Sequence, residues 1–389
     1  MLTVLDRVRL VRRRWHSPAE GTTTPIDAWL DTAEATVSLG VREMACRLNA
    51  NASNFEKTAE NLARAAGVHA CGELLRQVIE SEGRAVLVAQ RQGTLPVGWS
   101  AADCKTPAQN SVASKTPELT TRVYFGSDGV LLPMVTDTEK RARRQKIRQK
   151  RRQRGKKAKP LAPAKGGADQ SYKEFKIVTY YDEAHERCLV SATKGDHEAA
   201  GRLMRHDACR IRLHEAAEKV ANVDGAPWIR NQIEAQSLPL DAVGLDFYHL
   251  AEHVHQTRRV AFGEEDAAGQ QWAGELLHAY KHEGYAAVWD RLVPWRSGLR
   301  SPAKRKSADQ LMHYVAERRE MIRYPEFMSK GWQIGSGPTE AMCKTTTARL
   351  KQSGMRWDAD NAESLMALAG LEQSGQWKHY WRTRLAPTG

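Results

Sequence analysis

No Cys-x-x-Cys pair occurs in this sequence of 389 residues, and its six cysteines, Cys46, Cys71, Cys104, Cys188, Cys209 and Cys343, lie far apart. That scatter argues against a zinc ribbon or a disulfide framework and fits a reducing compartment, so a cytoplasmic setting is expected. No apolar run reaches the roughly eighteen residues that a membrane-spanning helix needs. The basic first fourteen residues also lack the apolar stretch of a secretory leader. No internal repeat is evident. With 41% hydrophobic and 27% charged residues, the composition is that of a globular chain long enough for two or three domains.

One absence is local. Residues 140–159 contain thirteen Lys and Arg and no acid, and the net charge of the whole chain is +13, so the rest is formally neutral. The run reads as a disordered, solvated arm. Such arms bind nucleic acid by releasing counterions from phosphates, which makes Arg141, Arg144, Arg151 and Arg152 candidate DNA contacts. An anionic membrane surface fits less well, because few apolar residues are interleaved.

The first thirty residues alternate enough for one or two short strands. From Asp31 to about Val88 the period is helical. A second helix is expected over Phe55–Ala66, stopped by Gly67, and a third from Cys71 or Gly72 to about Glu82. Helix, short Gly-containing turn and helix is the helix-turn-helix pattern, which would direct Arg76 and Gln77 at a groove; a plain helical bundle has the same pattern. Residues 90–118 look like a linker. Next come a β-rich run ending at Asp128-Gly129, a hairpin around Asp182, a helix from His197 to Val220, a strand end at Asp224-Gly225 and a strand ending at Asp246. Residues 261–330 are mostly helical. Their Trp272, Trp289 and Trp295 read first as core, and second as platforms for an unpaired base.

The expected fold is therefore α/β: a mixed sheet with helices packed on it. The expected domains are a helical DNA-binding region with its linker over 1–118 and a core over 119–260 with the arm inserted. A helical insertion over 261–330, the closing segment over 331–374 and a loosely ordered tail over 375–389 complete the chain. Gly337-Pro338 is a helix-start signal, Glu340 falls in the first turn, and Lys344 and Lys351 follow on nearly the same face. If the sheet brings Asp128, Asp224 and Glu340 together, their like charges require a counter-charge. Two divalent ions held by these oxygens, Mg2+ or Mn2+, would supply it and favour a phosphodiester substrate. Lys344, Arg349 and Lys351 would then grip its backbone. The plain alternatives are Asp-Gly turns and a solvated helix face.

The stretches DGAPWI (Asp224 to Ile229), DFYHLAEH (Asp246 to His253) and IGSGPTEAMCKTTTARLKQSGMRW (Ile334 to Trp357) resemble the ISKra-type transposases of bacterial insertion sequences, distant relatives of the Mutator-like DDE enzymes. SDGV (Ser127 to Val130) is similar to that family's first acidic motif. The resemblance spans about residues 120–370. It implies an RNase H-like fold with a helical insertion before the final catalytic helix. It also implies metal-dependent DNA cleavage and strand transfer by Asp128, Asp224 and Glu340, and action as a homo-oligomer on transposon ends and target DNA near the nucleoid. Asp246-Phe247-Tyr248-His249 matches the family's acid-x-x-His spacing and gives His249 a supporting role. Paired cysteines often present near the relatives' N-terminus are replaced here by Trp15-His16-Ser17-Pro18. Two rivals stand: a non-catalytic DNA-binding protein, and a zinc peptidase read from His249-Leu250-Ala251-Glu252-His253, an H-x-x-E-H match.

Overall fold

The computed structural model describes residues 1–9, 11, 13–19, 21–24, 37–109, 118–153, 161, 163 and 165–385. The expected helix start at Asp31, the linker's residues 110–117, the arm's residues 154–159 and the tail's residues 386–389 lie outside the described residues. Two short antiparallel pairs open the chain: β1 (Leu2–Thr3) with β2 (Asp6–Arg7), and β3 (Trp15–Ser17) with β4 (Gly21–Thr23). Helix α1 (Leu39–Ala50) starts where the Ser38 hydroxyl accepts from the Val41 N–H. Helix α2 (Phe55–Ala66) is capped by Asn54 and stopped by Gly67, whose φ of 65° is a left-handed conformation suited to glycine. Helix α3 (Gly72–Arg91) runs well past the expected end near Glu82, because Val86, Leu87 and Gln90 continue its buried stripe.

The sheet follows. Its elements are β5 (Lys105–Pro107), β6 (Leu119–Pro133), α4 (Asp137–Gln153), β7 (Tyr172–Asp182), β8 (Cys188–Thr193), α5 (His197–Arg210), β9 (Glu218–Val223), α6 (Pro227–Ala235) and β10 (Ala242–Leu245). The strand order is β10-β9-β6-β7-β8, with β5 added antiparallel to the start of β6. Strands β10, β9 and β6 are parallel, whereas β6, β7 and β8 are antiparallel, so the sheet is mixed as expected.

Four local expectations are corrected. Asp128-Gly129 does not end a strand: β6 continues to Pro133, because β7 pairs with it as far as Pro133↔Tyr172. The helix from His197 stops at Arg210, Arg212 turns the chain with φ 53°, and β9 begins at Glu218. Part of the linker, β5, joins the sheet. The arm is helical over α4, with no buried residue. Its start is a capping box: the Thr136 hydroxyl accepts from the Glu139 N–H at 3.3 Å, and the Glu139 carboxylate accepts from the Thr136 N–H at 3.0 Å. Acids in its first turn and bases in its last also suit the helix dipole.

The remaining helices are α7 (Phe247–Phe262), α8 (Ala267–His282), α9 (Tyr285–Gly298), α10 (Pro302–Glu317), α11 (Tyr324–Ser329), α12 (Gly337–Thr347), α13 (Ala359–Gln373) and α14 (Trp377–Leu385). The tail is thus not loose. Trp377, Tyr380 and Trp381, at helical spacing, are buried in the same core as α1 and α3. That core lies on one side of the β7–β8 half of the sheet and includes Ile79, Ile177, Val190 and Leu371. Among the tryptophans, Trp272 stacks on Trp295 at 4.5 Å and Trp289 on Tyr285 at 5.5 Å. Both contacts sit on the core of the helical segment, which favours the packing reading. Among the described residues no helix is long and apolar enough to cross a membrane.

Candidate functional site

Strand register brings three acids, Asp128, Asp224 and Asp246, to the same end of the sheet. Strands β6 and β9 run parallel, and the last of their paired residues are Phe125 and Ala221. Carrying that register on by three brings Asp128 level with Asp224. Strand β10 pairs Leu245 with Val223, and the Asp246 N–H then donates to the Val223 carbonyl at 2.8 Å. Tyr124, Val220 and Ala242 share one apolar cluster with Phe327 and Trp332. Each of the three acids lies four residues beyond one of those neighbours, so strand alternation turns all three toward the same side of the sheet. After Asp224 the chain turns at Gly225, whose φ of +79° suits glycine. A Cβ there would meet the Arg318 side chain at 2.6 Å. Arg318 donates from Nε to the Gly225 carbonyl at 3.1 Å, so the helical segment itself holds the Asp224 turn.

The fourth carboxylate arrives on α12. This helix closes onto β6 at Gly126, where any Cβ would overlap the Thr339 side chain. The Thr339 hydroxyl bonds the Thr179 hydroxyl at 3.2 Å. Glu340 is the next residue. The Ser336 hydroxyl donates to its Oε1 at 3.1 Å, and the Ser336 N–H donates to Asp246 Oδ2. Asp246 caps α7 by accepting the His249 N–H at 2.7 Å, and its Oδ1 also holds His249 Nδ1 at 3.1 Å. His249 Nδ1 lies 3.9 Å from Glu340 Oε1. The tightest group is therefore Asp246, His249 and Glu340, whose ligand atoms lie within 4.8 Å of one another. Asp128 and Asp224 flank it, near enough for their charges to act on it.

The electrostatics follow from this crowding. Burial raises the Asp128 carboxyl; the Gly129 N–H opposes this, and Asp224 and Glu340 add to the rise. Burial would also raise Asp246, but hydrogen bonds from His249 and Ser336 outweigh it and hold the group at about 2. The Asp246 hydrogen bond, set against burial, pushes His249 up to about 9, so the imidazole is charged at neutral pH. The sign is fixed. This interaction is fully present below the ordinary histidine value of 6.5 and is lost as pH rises through about 9. In metal-free protein, the His249 ring resonances are expected to titrate near pH 9. Adding Mg2+ should lower that midpoint by bringing a second positive charge. A midpoint near 6.5 in metal-free protein would contradict the contact.

The DNA contacts expected from sequence fare unevenly. Lys344 is exposed on α12. Lys351 is exposed too, but α12 ends at Thr347, so Lys351 lies beyond the helix rather than on its face. Arg349 is buried, 6% exposed, and presents no cation to a surface, because Phe55 and Trp357 cover it. Arg76 is engaged on its own helix by Glu73 at 2.6 Å and Glu80 at 2.8 Å. Arg141, Arg144, Arg151 and Arg152 line the solvated α4. His253 stacks on Tyr314 at 3.7 Å and is outside the tight group, so the H-x-x-E-H match does not assemble a paired-histidine metal site. Sequence reasoning gave Asp246 no ligand role, although it was one of three acids read at strand ends.

The donors suit a hard divalent cation: four carboxylates, and a histidine whose Nδ1 is already taken by Asp246. No family model matches the sequence, and no curated protein does either. Among solved structures, a chain of the Drosophila P element transposase strand transfer complex superposes with a TM-score of 0.29 and 11% identity, over 91% of this chain and 83% of that chain. A superposition that loose carries no argument about fold or function.

Proposed function

We propose that this protein is a DNA transposase of the DDE type, cleaving strands at the ends of an insertion sequence and joining them to target DNA. The core would be RNase H-like. What supports this reading is that Asp246 and Glu340, remote in sequence, form one tight group with His249, while Asp128 and Asp224 stand at the same end of the sheet, near enough for their charges to act on it. Asp128, Asp224 and Glu340 would hold two Mg2+ or Mn2+ ions, with Asp246 as a further oxygen donor. Bound there, the ions would activate a water or 3′-hydroxyl and stabilise the leaving oxygen. The charged His249, fixed through Nδ1 by Asp246, keeps Nε2 for a phosphate beside the cut. Ser336 steadies Glu340, and Arg318 steadies the turn after Asp224.

Substrate placement follows from β6. The strand passes Asp128, runs five residues further and leads into α4, so the basic helix leaves the same end of the sheet as the acids. Five residues at about 3.3 Å each carry the strand roughly half a helical turn of duplex beyond Asp128. DNA held at the acids can therefore lie along α4. Two element ends must be cut together, so the reaction class asks for a homo-oligomer on DNA. The test is Mg2+-dependent cleavage of a duplex carrying the element's own ends. Cleavage at the end supports the proposal, and binding with no cleavage under Mg2+ or Mn2+ would leave a DNA-holding role.

A further inference from the structure

Residues 296–306 carry five cations, Arg296, Arg300, Lys304, Arg305 and Lys306, and no acid. They span the end of α9, the turn after it and the start of α10. Helix starts favour acids, yet α10 has none in its first turn; Lys304 and Arg305 stand there instead, against the helix dipole. Cations kept at that cost point to a partner outside the helix. Their own chain neutralises few of them. Arg296 pairs with Asp309 at 2.7 Å, and Arg305 donates from Nε to the Leu299 carbonyl at 2.5 Å. Arg300, Lys304 and Lys306 form no ion pair among the described residues, whereas nearby Arg291 is held by Glu283 at 2.6 Å. Arg300, Arg305 and Lys306 are exposed. Arg296, Arg305 and Lys306, with His313, line one cleft of about 540 Å3.

Helix packing fixes where this cluster lies. Helix α7 starts at Asp246, and α10 ends at Arg318, which holds the Gly225 carbonyl. Between those ends His253 stacks on Tyr314 at 3.7 Å, and the Thr257 hydroxyl donates to the Ser307 carbonyl at 3.5 Å. The two helices are therefore antiparallel and rooted at the acids, with the start of α10 at the far end. At 1.5 Å per residue, Arg305 and Lys306 lie about 18–20 Å from Arg318 along the axis. We propose that residues 296–306 are a second grip on duplex DNA, holding its phosphates about five to six base pairs from the acids, at 3.4 Å per pair. Unpaired cations on an exposed surface suit a polyanion, because each releases a counterion from a phosphate. Helix α4 would hold the duplex as it leaves the sheet, and α10 would set the distance to the second grip. The inference rests on the transposase reading for what lies at the acids, but not for the partner of these cations.

The probe is a labelled duplex of arbitrary sequence, bound to the full chain without divalent ions and followed by fluorescence anisotropy at several salt concentrations. Replacing Arg300, Lys304 and Lys306 together by Ala should reduce the slope of log affinity against log salt by about 2–3, at about 0.9 per phosphate neutralised. The variant should melt at or above wild type, because it removes cations from a helix start. Arg291→Ala, whose cation Glu283 already holds, should leave the slope unchanged. An unchanged slope in the triple variant, or an equal loss per cation in Arg291→Ala, overturns the inference and leaves the transposase reading standing. A reduced slope in a protein that cleaves no element end under Mg2+ keeps the grip and removes that reading. A wild type that binds no duplex at low salt overturns both. Should the triple variant not fold, Arg300→Ala alone, ahead of the helix, decides by a slope change of about 0.9 or none.

Discussion

Asp224→Ala is expected to lower Mg2+-dependent strand cleavage about a thousandfold, because several kcal/mol of metal-borne charge stabilisation is lost at about 1.4 kcal/mol per decade. Duplex affinity should stay within about twofold of wild type, since phosphate contacts dominate it and Asp224 makes none. The reason is positional. Asp224 lies between Asp128 and Asp246 on adjacent parallel strands, and its loss removes the central carboxylate. Glu340→Gln should behave alike while keeping the Ser336 contact, which separates lost charge from a displaced helix. Cleavage and joining assays on supercoiled and linear DNA read the effect, and filter binding reads affinity. Equal cleavage by wild type and Asp224→Ala would remove Asp224 from the chemistry.

Replacing Arg141, Arg144, Arg151 and Arg152 together by Ala should do the opposite: weaken DNA binding with little change in the rate once DNA is bound. Each cation that neutralises a phosphate contributes about 0.9 to the slope of log affinity against log salt, so four should reduce that slope by about 3.6. The helix itself should persist, because alanine is the best helix former and the variant relieves repulsion among the many cations of α4. Its cap at Thr136 and Glu139 is untouched, as is the Arg356–Glu139 pair at 2.5 Å. Fluorescence anisotropy at several salt concentrations measures the slope. An unchanged slope would place the DNA on another surface.

Much of this arrangement is legible in the sequence. The α2 limits follow from Phe55, Gly67 and the period between them, and α12 from Gly337-Pro338. The β7–β8 hairpin could be read from the turn at Asp182. What periodicity could not convey was pairing. Asp128-Gly129 resembles a turn, and only its partner Ile177 across β7 keeps the backbone extended there. The first half of β9, Glu218 to Val220, falls within the expected helix, because Lys219 and Val220 satisfy either period and the left-handed turn at Arg212 leaves no mark in the sequence. The α4 charge run masked a capping box that was visible in Thr136 and Glu139. Arg349 looked like a surface cation because nothing in its own segment reveals Phe55, nearly three hundred residues earlier. At the candidate site, the acids' element ends were readable, but their order of proximity was not. Asp246 rather than Asp224 stands closest to Glu340, as a consequence of Ser336 binding both.

The central claim is that these carboxylates share hard cations, and anomalous diffraction from crystals soaked in Mn2+ tests it most directly. One or two manganese peaks within about 2.0–2.3 Å of oxygens from Asp128, Asp224 and at least one of Asp246 and Glu340 are the expected result. Manganese found only at scattered surface acids, with Glu340 still turned to Ser336 and away from any ion, would contradict it.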